Sequence, residues 1–201
     1  MGREIEMKIP LTEEKYNSLI QVFCEQKSQI EGIKILKACP ETVIKRDEYW
    51  SRYDSREERL EHKEPQVIRI RTEEKNGKNE VFFTLKHKTK QNGIELNKED
   101  ETYIENPEVL RLFFIEAGYH KWFDKVKKNA GAFCHSSVLP GVEFHVELED
   151  VNGLKYIEVE VTSEEGDAQI IKSALSDFMK QCGLNPEYRD CRSWVEILSN
   201  R

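Results

Sequence analysis

Apolar and charged residues alternate along several segments of the chain, and this alternation predicts β-strands. In the first segment Glu4, Glu6 and Lys8 alternate with apolar residues, so the three charged side chains share one face of a strand. Similar alternation predicts further strands at 43–50, 67–72, 80–88, 142–149 and 156–161, and one that ends near Tyr103. Asn-Gly pairs at 76–77, 92–93 and 152–153 favour tight turns, so the strands on either side should form hairpins.

Three other segments carry apolar residues at the i, i+3, i+4, i+7 spacing of a helix that packs one face against a core. The first follows Thr12, the second begins at Pro107 and ends at Gly118, and the third runs from about Asp167 to Cys182. We expect the buried positions to be Tyr16, Leu19, Ile20 and Phe23; Val109, Leu110, Phe113, Phe114 and Ala117; and Ile170, Ile171, Ala174, Leu175, Phe178 and Met179. Successive hairpins with helices between them indicate an α+β fold with an antiparallel sheet, in one domain over residues 1–201.

The composition narrows the range of partners and compartments. The formal net charge is −7, so the chain lacks the cationic surface that nucleic acids and anionic membranes attract. No segment is long and apolar enough to span a membrane or to form a signal peptide. The five cysteines are scattered and include no C-x-x-C pair, which favours reduced thiols over zinc or disulfides. We therefore expect a cytoplasmic protein without a nucleic-acid or membrane partner.

The charged faces of the predicted strands are sorted by sign. One face carries Arg69 and Arg71 and another carries Lys86 and Lys88, whereas acidic faces carry Glu99 and Glu101, Glu147 and Glu149, and Glu158 and Glu160. For any single strand, a solvated sheet face is the simpler explanation. A solvated face usually mixes signs, however, so that neighbouring side chains pair. If the sheet curls into a barrel with helices outside, the charged faces line its interior, where charges must pair or meet a ligand.

Such an interior suits a polyanion held together with a metal ion. The basic residues form a cluster that can bind a chain of phosphates. The paired acids Glu4/Glu6 and Glu158/Glu160 offer the hard oxygen ligands that magnesium and manganese prefer. Cations on one wall and metal-binding acids on another are what phosphoryl transfer requires.

Several motifs occur in an order that is also found in a known family. They are Glu4-x-Glu6-x-Lys8, Asp47-x-Tyr49, Ile68-Arg69-Ile70-Arg71, Thr84-Leu85-Lys86, Glu99-x-Glu101, the run from Gly153 to Glu160, and Arg192-Ser193-Trp194. This ordered set, which covers nearly the whole chain, resembles the CYTH superfamily, the triphosphate tunnel metalloenzymes. That superfamily includes class IV adenylyl cyclases, thiamine triphosphatases and inorganic triphosphatases.

The resemblance implies an eight-stranded antiparallel β-barrel, or tunnel, with helices packed outside and a triphosphate substrate inside. It implies that Glu4, Glu6 and Lys8 are catalytic and that Mg²⁺ or Mn²⁺ is the cofactor. The implied phosphate-binding residues are Lys8, Arg69, Arg71, Lys86 and Lys128, and the basic strand face adds Lys88 as a further candidate. The implied metal-binding residues are Glu4, Glu6, Glu101, Glu149, Glu158 and Glu160, with Asp150 as the alternative to Glu149. Dimers are common in the family, so a homodimer is one of the states that the resemblance allows.

Two positions depart from the family pattern where it has phosphate-binding arginines. Asn97 replaces the arginine before the later E-x-E motif, and the K-x-R motif after the central helix is matched as Lys128-Asn129-Ala130. A charge-assisted contact to a phosphate oxygen contributes about 1.5–3 kcal/mol. We therefore expect weaker phosphate binding unless Lys88, Arg46 or Lys127 replaces the missing charge.

Three functions remain open at this point. We favour hydrolysis of an inorganic, thiamine or nucleoside triphosphate, because the His-Phe element that class IV cyclases carry before E-x-E-x-K has no match in residues 1–3. The alternative is an adenylyl cyclase that makes cyclic AMP and pyrophosphate from ATP, which the Arg192-Ser193 segment and the chain length favour. The third is a non-catalytic polyphosphate- or nucleotide-binding module. His145 lies on a charged face, where we expect a structural hydrogen bond.

Overall fold

The strands of the computed structural model close into an antiparallel barrel, which confirms the predicted α+β tunnel. The structure describes residues 3–62, 67–91, 94–163 and 168–199. Within them the strands are β1 (Arg3–Leu11), β2 (Ile33–Ser51), β3 (Val67–Lys75), β4 (Lys78–Gln91), β5 (Ile94–Tyr103), β6 (His120–Ser136), β7 (Glu143–Val151) and β8 (Leu154–Ser163). Around the barrel they follow the order β1-β5-β4-β3-β2-β6-β7-β8.

The helices connect strands or follow the last strand. They are α1 (Glu13–Phe23), α2 (Arg56–Glu61), α3 (Pro107–Glu116), α4 (Ala168–Gln181) and α5 (Trp194–Ser199), with a 3₁₀ turn at Pro186–Tyr188. The start predicted for α4 near Asp167 falls outside the described residues. Among the described residues, no helix combines the length and the apolar composition needed to cross a bilayer.

The barrel closes through the pairing of β1 with β8, which runs from Arg3 opposite Ser163 to Leu11 opposite Lys155. On its other side β1 meets β5 at the register pair Glu4–Asn97. Two predicted hairpin turns are present, and Asn76, Gly77, Asn152 and Gly153 all have the positive φ that such turns require. The Asn92-Gly93 turn lies outside the described residues.

The main core lies between helices α1 and α4 and the outer face of the barrel. Phe178 of α4 stacks on Phe144 of β7 with ring centroids 4.9 Å apart and lies 6.3 Å from Phe23 of α1. Since the apolar faces of the strands point outward to these helices, the charged faces must point inward. The fold therefore places the sign-sorted residues inside the barrel.

The predicted burial of α3 is wrong in part. Phe114 is buried against Trp50, and Leu110 packs beside it, but Val109 and Phe113 are each 62% exposed. The helix has apolar residues around most of its circumference, so the periodicity does not identify the face that packs. Ile170 of α4 was also predicted to be buried and is exposed.

Strand β6 is missing from the sequence prediction, and β2 is much longer than the predicted 43–50. The two strands pair along most of their length, with register shifts that disturb the simple alternation of side chains. Gly131 of β6 sits where a Cβ would lie 1.9 Å from the carbonyl oxygen of Val146 on β7. Only glycine fits this close approach of two strands, so Gly131 marks a packing constraint.

Candidate active site

The inward faces of the strands enclose a cavity of about 1010 Å³. Nine of the predicted site residues line it: Glu4, Glu6, Lys8, Arg69, Arg71, Lys86, Glu101, Glu158 and Glu160. Basic residues come mainly from β2, β3, β4 and β6, and acidic residues come mainly from β1, β5, β7 and β8. The sorting by sign along the sequence therefore becomes two walls of one tunnel.

Asp47 of β2 organises the basic wall. Its carboxylate is fully buried and accepts two hydrogen bonds from Arg71, at 2.7 Å from Nε and 3.0 Å from Nη2. Lys125 Nζ lies 3.2 Å from the same carboxylate, and Arg69 Nη1 lies 3.8 Å away. Burial opposes ionisation of Asp47, but the charges of Arg71 and Lys125 outweigh it and hold its pKa well below the usual range. One anion thus fixes three cations in place.

Arg69 and Lys86 extend the basic wall toward β4 and β5. The Arg69 guanidinium donates to Thr84 Oγ1 at 3.1 Å and lies 3.4 Å from Glu101, which itself accepts from Thr84 at 2.6 Å. Lys86 Nζ lies 2.6 Å from Glu99 and 3.9 Å from Glu6. Burial favours neutral Lys86, but the nearby carboxylates prevail and raise its pKa. Lys86 therefore joins the basic wall to the acidic one.

Three carboxylates on the acidic wall converge closely enough to hold a metal ion. Glu6, Glu158 and Glu160, which we call the Glu6 triad, each offer an oxygen, and these oxygens lie within 4.8 Å of one another. Oxygen-only ligands suit Mg²⁺ or Mn²⁺, so the donor chemistry fits the cofactor that the resemblance implies. Glu158 faces Lys8 across the β1–β8 pair.

Glu4 lies beside the Glu6 triad in a different electrostatic setting. Burial and the charges of Glu99 and Glu160 raise the pKa of Glu4 to about 7. Glu4 can therefore hold or release a proton near neutral pH. This behaviour suits a general base rather than a permanently charged ligand.

His145 holds Glu160 in place. Its Nδ1 lies 2.8 Å from Glu160 Oε1, and its ring stacks on Phe133 with centroids 4.3 Å apart and an interplanar angle of 7°. Burial lowers the pKa of His145, but the hydrogen bond to Glu160 and the charge of Glu147 raise it overall. The hydrogen bond expected for His145 is present, and it connects directly to a predicted metal ligand.

A second group of carboxylates surrounds Lys127. The Glu149 triad consists of Glu147, Glu149 and Glu158, whose oxygens also lie within 4.8 Å of one another. Lys127 Nζ lies 3.0 Å from Glu147 and also donates to Glu149. Burial and the charge of Glu158 raise the pKa of Glu149 to about 7. Glu158 thus belongs to both triads.

The prediction that Lys128 lies in the tunnel is wrong, because its side chain is on the opposite face of β6 from that of the neighbouring Lys127. Lys128 is exposed on the outer face of β6, whereas Lys125, Lys127 and Asn129 are buried on the inner face. Ala130 points outward into the core, so the arginine of the family pattern is replaced by Asn129. The error arises because the motif was matched by residue type, and residues one position apart on a strand face opposite sides.

The remaining residues named in the sequence analysis differ in where their side chains lie. Glu149 is fully buried beside Lys127, which lines the cavity, although Glu149 itself does not reach the cavity surface. Asp150 instead accepts hydrogen bonds from Lys155 and the Gly153 amide at the β7–β8 turn. The side chains of Lys88 and Asn97 lie outside the described part of the structure. Among the proposed compensating cations, Lys127 lines the tunnel, and Arg46 instead pairs with Glu74 at a half-exposed position.

Several cavity residues were not predicted as site residues. Lys45 lies 2.8 Å from Glu147, and Lys125 completes the Asp47 cluster. The alternate spacing of Lys125, Lys127 and Asn129 could have identified the cavity residues of β6, since alternate positions of a strand share one face. That signal depended on recognising β6.

The segment before α5 and the helix itself line part of the cavity. Lys8 Nζ donates to the Arg192 carbonyl oxygen, and the Asp190 amide donates to the Lys8 carbonyl oxygen at 2.9 Å. Lys8 and Lys125 lie 5.6 and 5.8 Å from the centroid of the Trp194 ring. At the cavity wall Arg59 of α2 stacks 3.7 Å from the Trp122 ring.

Comparisons with known proteins match the fold rather than the sequence. No family model and no curated protein matches the sequence. The PH1819 protein from Pyrococcus horikoshii OT3 has a similar structure, with a TM-score of 0.69, 20% identity and 98% of each chain covered.

Some of the similar structures are named after an activity. One is a candidate adenylate cyclase from Vibrio parahaemolyticus, with a TM-score of 0.64, 16% identity and coverage of 98% of this chain and 97% of that one. Another is HpAC1 from Hippeastrum, a candidate adenylyl cyclase described as having a dominant triphosphatase activity, with a TM-score of 0.59, 14% identity and coverage of 100% and 96%. At these identities the likeness concerns the fold alone, which is the fold that the resemblance in the sequence implies.

Proposed function

We propose that this protein is a divalent-metal-dependent enzyme that hydrolyses a triphosphate. The observation that carries the proposal is the meeting of a preorganised basic wall and the Glu6 triad in one cavity. Among the described residues, ten glutamates and nine lysines and arginines line this cavity. Because the charges nearly balance, the cavity has no surplus of positive charge for a free polyanion. A substrate that binds together with a divalent cation brings the additional positive charge that the cavity lacks.

In this proposal the Glu6 triad holds Mg²⁺ or Mn²⁺. When bound, the ion neutralises phosphate charge and helps to orient the attacking water. The basic wall binds the phosphate chain through Arg69, Arg71 and Lys125, whose positions Asp47 fixes before substrate arrives. Preorganised cations cost little rearrangement when charge develops in the transition state. This arrangement favours phosphoryl transfer over simple storage of a polyphosphate.

Glu4 is the residue best suited to accept a proton from the attacking water. Its pKa of about 7 keeps it partly unprotonated near neutral pH, and it lies on the wall that carries the Glu6 triad. Lys8 is anchored by the Arg192 carbonyl and faces Glu158, so it can place a positive charge at the junction of the two walls. These roles keep Glu4, Glu6 and Lys8 as the proposed catalytic set.

The same walls suit an adenylyl cyclase, in which the 3′-hydroxyl of ATP attacks the α-phosphate. Similar structures described as candidate cyclases support this second candidate, and the dominant triphosphatase activity described for HpAC1 supports the first. Binding without turnover is the third candidate.

One experiment separates the three. Purified protein is incubated with Mg²⁺ or Mn²⁺ and tripolyphosphate, thiamine triphosphate or ATP, and the products are resolved into orthophosphate, pyrophosphate and cyclic AMP. Orthophosphate without cyclic AMP is the expected result. Glu4→Gln should lower the rate by about 100-fold or more, whereas Glu116→Gln, an exposed substitution on α3, should leave it unchanged. Cyclic AMP with pyrophosphate would favour the cyclase, and binding without any product would contradict both enzyme proposals.

A further inference from the structure

We propose that Trp194 is a positioning residue that holds the ammonium groups of Lys8 and Lys125 in place for phosphate binding. The inference rests on the proposed function, since it concerns how the same cavity binds its substrate. Lys8 belongs to β1 and Lys125 to β6, and β7 and β8 separate these strands around the barrel. Both ammonium groups nevertheless lie over the Trp194 ring, at 5.6 and 5.8 Å from its centroid, and all three residues line the cavity.

The ring of Trp194 attracts both lysines electrostatically. The face of an indole is negative, so it stabilises a cation that lies over it, and the attraction is stronger where water is excluded. Lys8 is 9% exposed and Lys125 is 4% exposed, so both side chains are poorly hydrated. The ring therefore offsets part of the repulsion between two like charges that the fold brings to one place.

Each lysine also has a polar partner. Lys8 Nζ donates to the Arg192 carbonyl oxygen, and Lys125 Nζ lies 3.2 Å from the Asp47 carboxylate. The carbonyl oxygen restrains Lys8 and the carboxylate restrains Lys125, whereas the Trp194 ring contacts both lysines. We expect the loss of this ring to loosen two phosphate-binding cations at once.

The surrounding contacts fix the orientation of the Trp194 ring. Tyr156 packs against it edge-to-face, with centroids 4.8 Å apart and an interplanar angle of 71°. The Tyr156 hydroxyl donates to Asp190 Oδ2 at 3.0 Å, and Arg192 donates to both oxygens of the same carboxylate. The Trp194 indole nitrogen is buried and has no hydrogen-bond partner among the described residues, so the ring acts on the lysines through its face.

The test measures the affinity of the full chain for pyrophosphate in the presence of Mg²⁺ by calorimetry. Pyrophosphate is a product of tripolyphosphate hydrolysis and of ATP cyclisation, so its binding is measured without turnover. Trp194→Leu keeps an apolar side chain but removes the ring, and it should weaken binding by about 10-fold. Trp194→Phe keeps an aromatic face, so its affinity should stay within about 3-fold of the wild type. The matched control is Trp50→Leu, because Trp50 is equally buried but packs on Phe114 outside the barrel, and its affinity should be unchanged.

Tryptophan fluorescence gives a second measurement that does not need Trp194→Leu to fold. Pyrophosphate draws the ammonium groups away from the ring, so part of the change in emission on binding should disappear in Trp194→Phe. An identical change in this variant would overturn the inference. A folded Trp194→Leu with wild-type affinity, equal weakening by Trp194→Phe or Trp50→Leu, or a wild type that does not bind pyrophosphate would overturn it as well.

These outcomes are distinct from those for the proposed function. If the wild type turns over no triphosphate but Trp194→Leu weakens pyrophosphate binding and Trp50→Leu does not, the proposed function fails and the inference stands. If the wild type hydrolyses triphosphate and Trp194→Leu binds pyrophosphate normally, the inference alone fails.

Discussion

Asp47 offers the sharpest test of how the basic wall is held together. Asp47→Asn keeps the shape of the side chain and removes its charge. In the structure this carboxylate is fully buried, accepts two hydrogen bonds from Arg71 and lies within 4 Å of Lys125 and Arg69. The substitution leaves three confined cations without their shared anion, and the new amide points a donor toward the Arg71 guanidinium.

The expected cost follows from the loss of a buried charge partner. Removing one member of a buried ion pair costs about 3–5 kcal/mol, because the remaining charge stays buried and uncompensated. For a chain of this size each kcal/mol lowers the melting temperature by about 2–4 °C, so we expect a decrease of roughly 6–20 °C. Urea denaturation followed by circular dichroism at about pH 7 measures the free energy of unfolding directly.

The matched control is Asp150→Asn, the same substitution at a partly exposed acid that pairs with Lys155 at the β7–β8 turn. A pair of this kind contributes about 1 kcal/mol or less. The pKa of Asp47 is held well below its usual range, so its stabilisation is present above the unfolded pKa and is lost as pH falls through the folded pKa. An Asp47→Asn variant whose free energy of unfolding at neutral pH lies within about 1 kcal/mol of the wild-type value would refute this account of the basic wall.

Three further predictions concern the acidic wall and the barrel. His145→Ala should weaken Mn²⁺ binding by about 10–100-fold, measured by calorimetry, because Glu160 loses the group that orients it. The control is His87→Ala at an exposed position, and equal weakening by this variant would rule out a specific role for His145. The raised pKa of Glu4 means that the folded state holds a proton that the unfolded state loses, so metal-free protein should lose stability as pH rises from about 4.5 to 7. Glu4→Gln should therefore stabilise the metal-free protein against urea at about pH 8 and change little at about pH 5, and an unchanged pH profile would contradict it. Gly131→Ala should cost roughly 3 kcal/mol in urea denaturation, since its Cβ would meet the Val146 carbonyl, and a neutral effect would show that the strands can separate freely.

The inner wall of the barrel could be predicted from sequence where strands are short and regular. Glu4, Glu6 and Lys8 alternate without interruption, and β1 then pairs with β8 without a register shift. Arg69 and Arg71 are similarly placed by the regular β3–β4 hairpin. In such strands the side chains alternate between two faces, so only the identity of the outward face is left to determine. The packing of the helices determines it.

The sequence was less informative where the backbone is irregular or the pattern is ambiguous. The register of β2 against β6 shifts at three places, so alternation along either strand does not persist. Lys127 and Lys128 are chemically equivalent, and only their positions on opposite faces of β6 distinguish a tunnel residue from a surface residue. The contacts of Asp47 and Lys127 depend on strands that are distant in sequence, which no local pattern reports.

The contacts of Lys8 have a consequence for how the protein is made. Lys8 donates to the carbonyl of Arg192, and these residues are separated by 184 positions. Strand β1 is also the first to be synthesised, while β8, its main partner, is the last. On the ribosome, the edge of β1 that pairs with β8 must therefore stay unpaired until β8 has emerged, although β5 can pair with the other edge earlier. Such non-local closure slows folding, so expression of this protein should be especially sensitive to temperature and to chaperones that shield exposed strand edges.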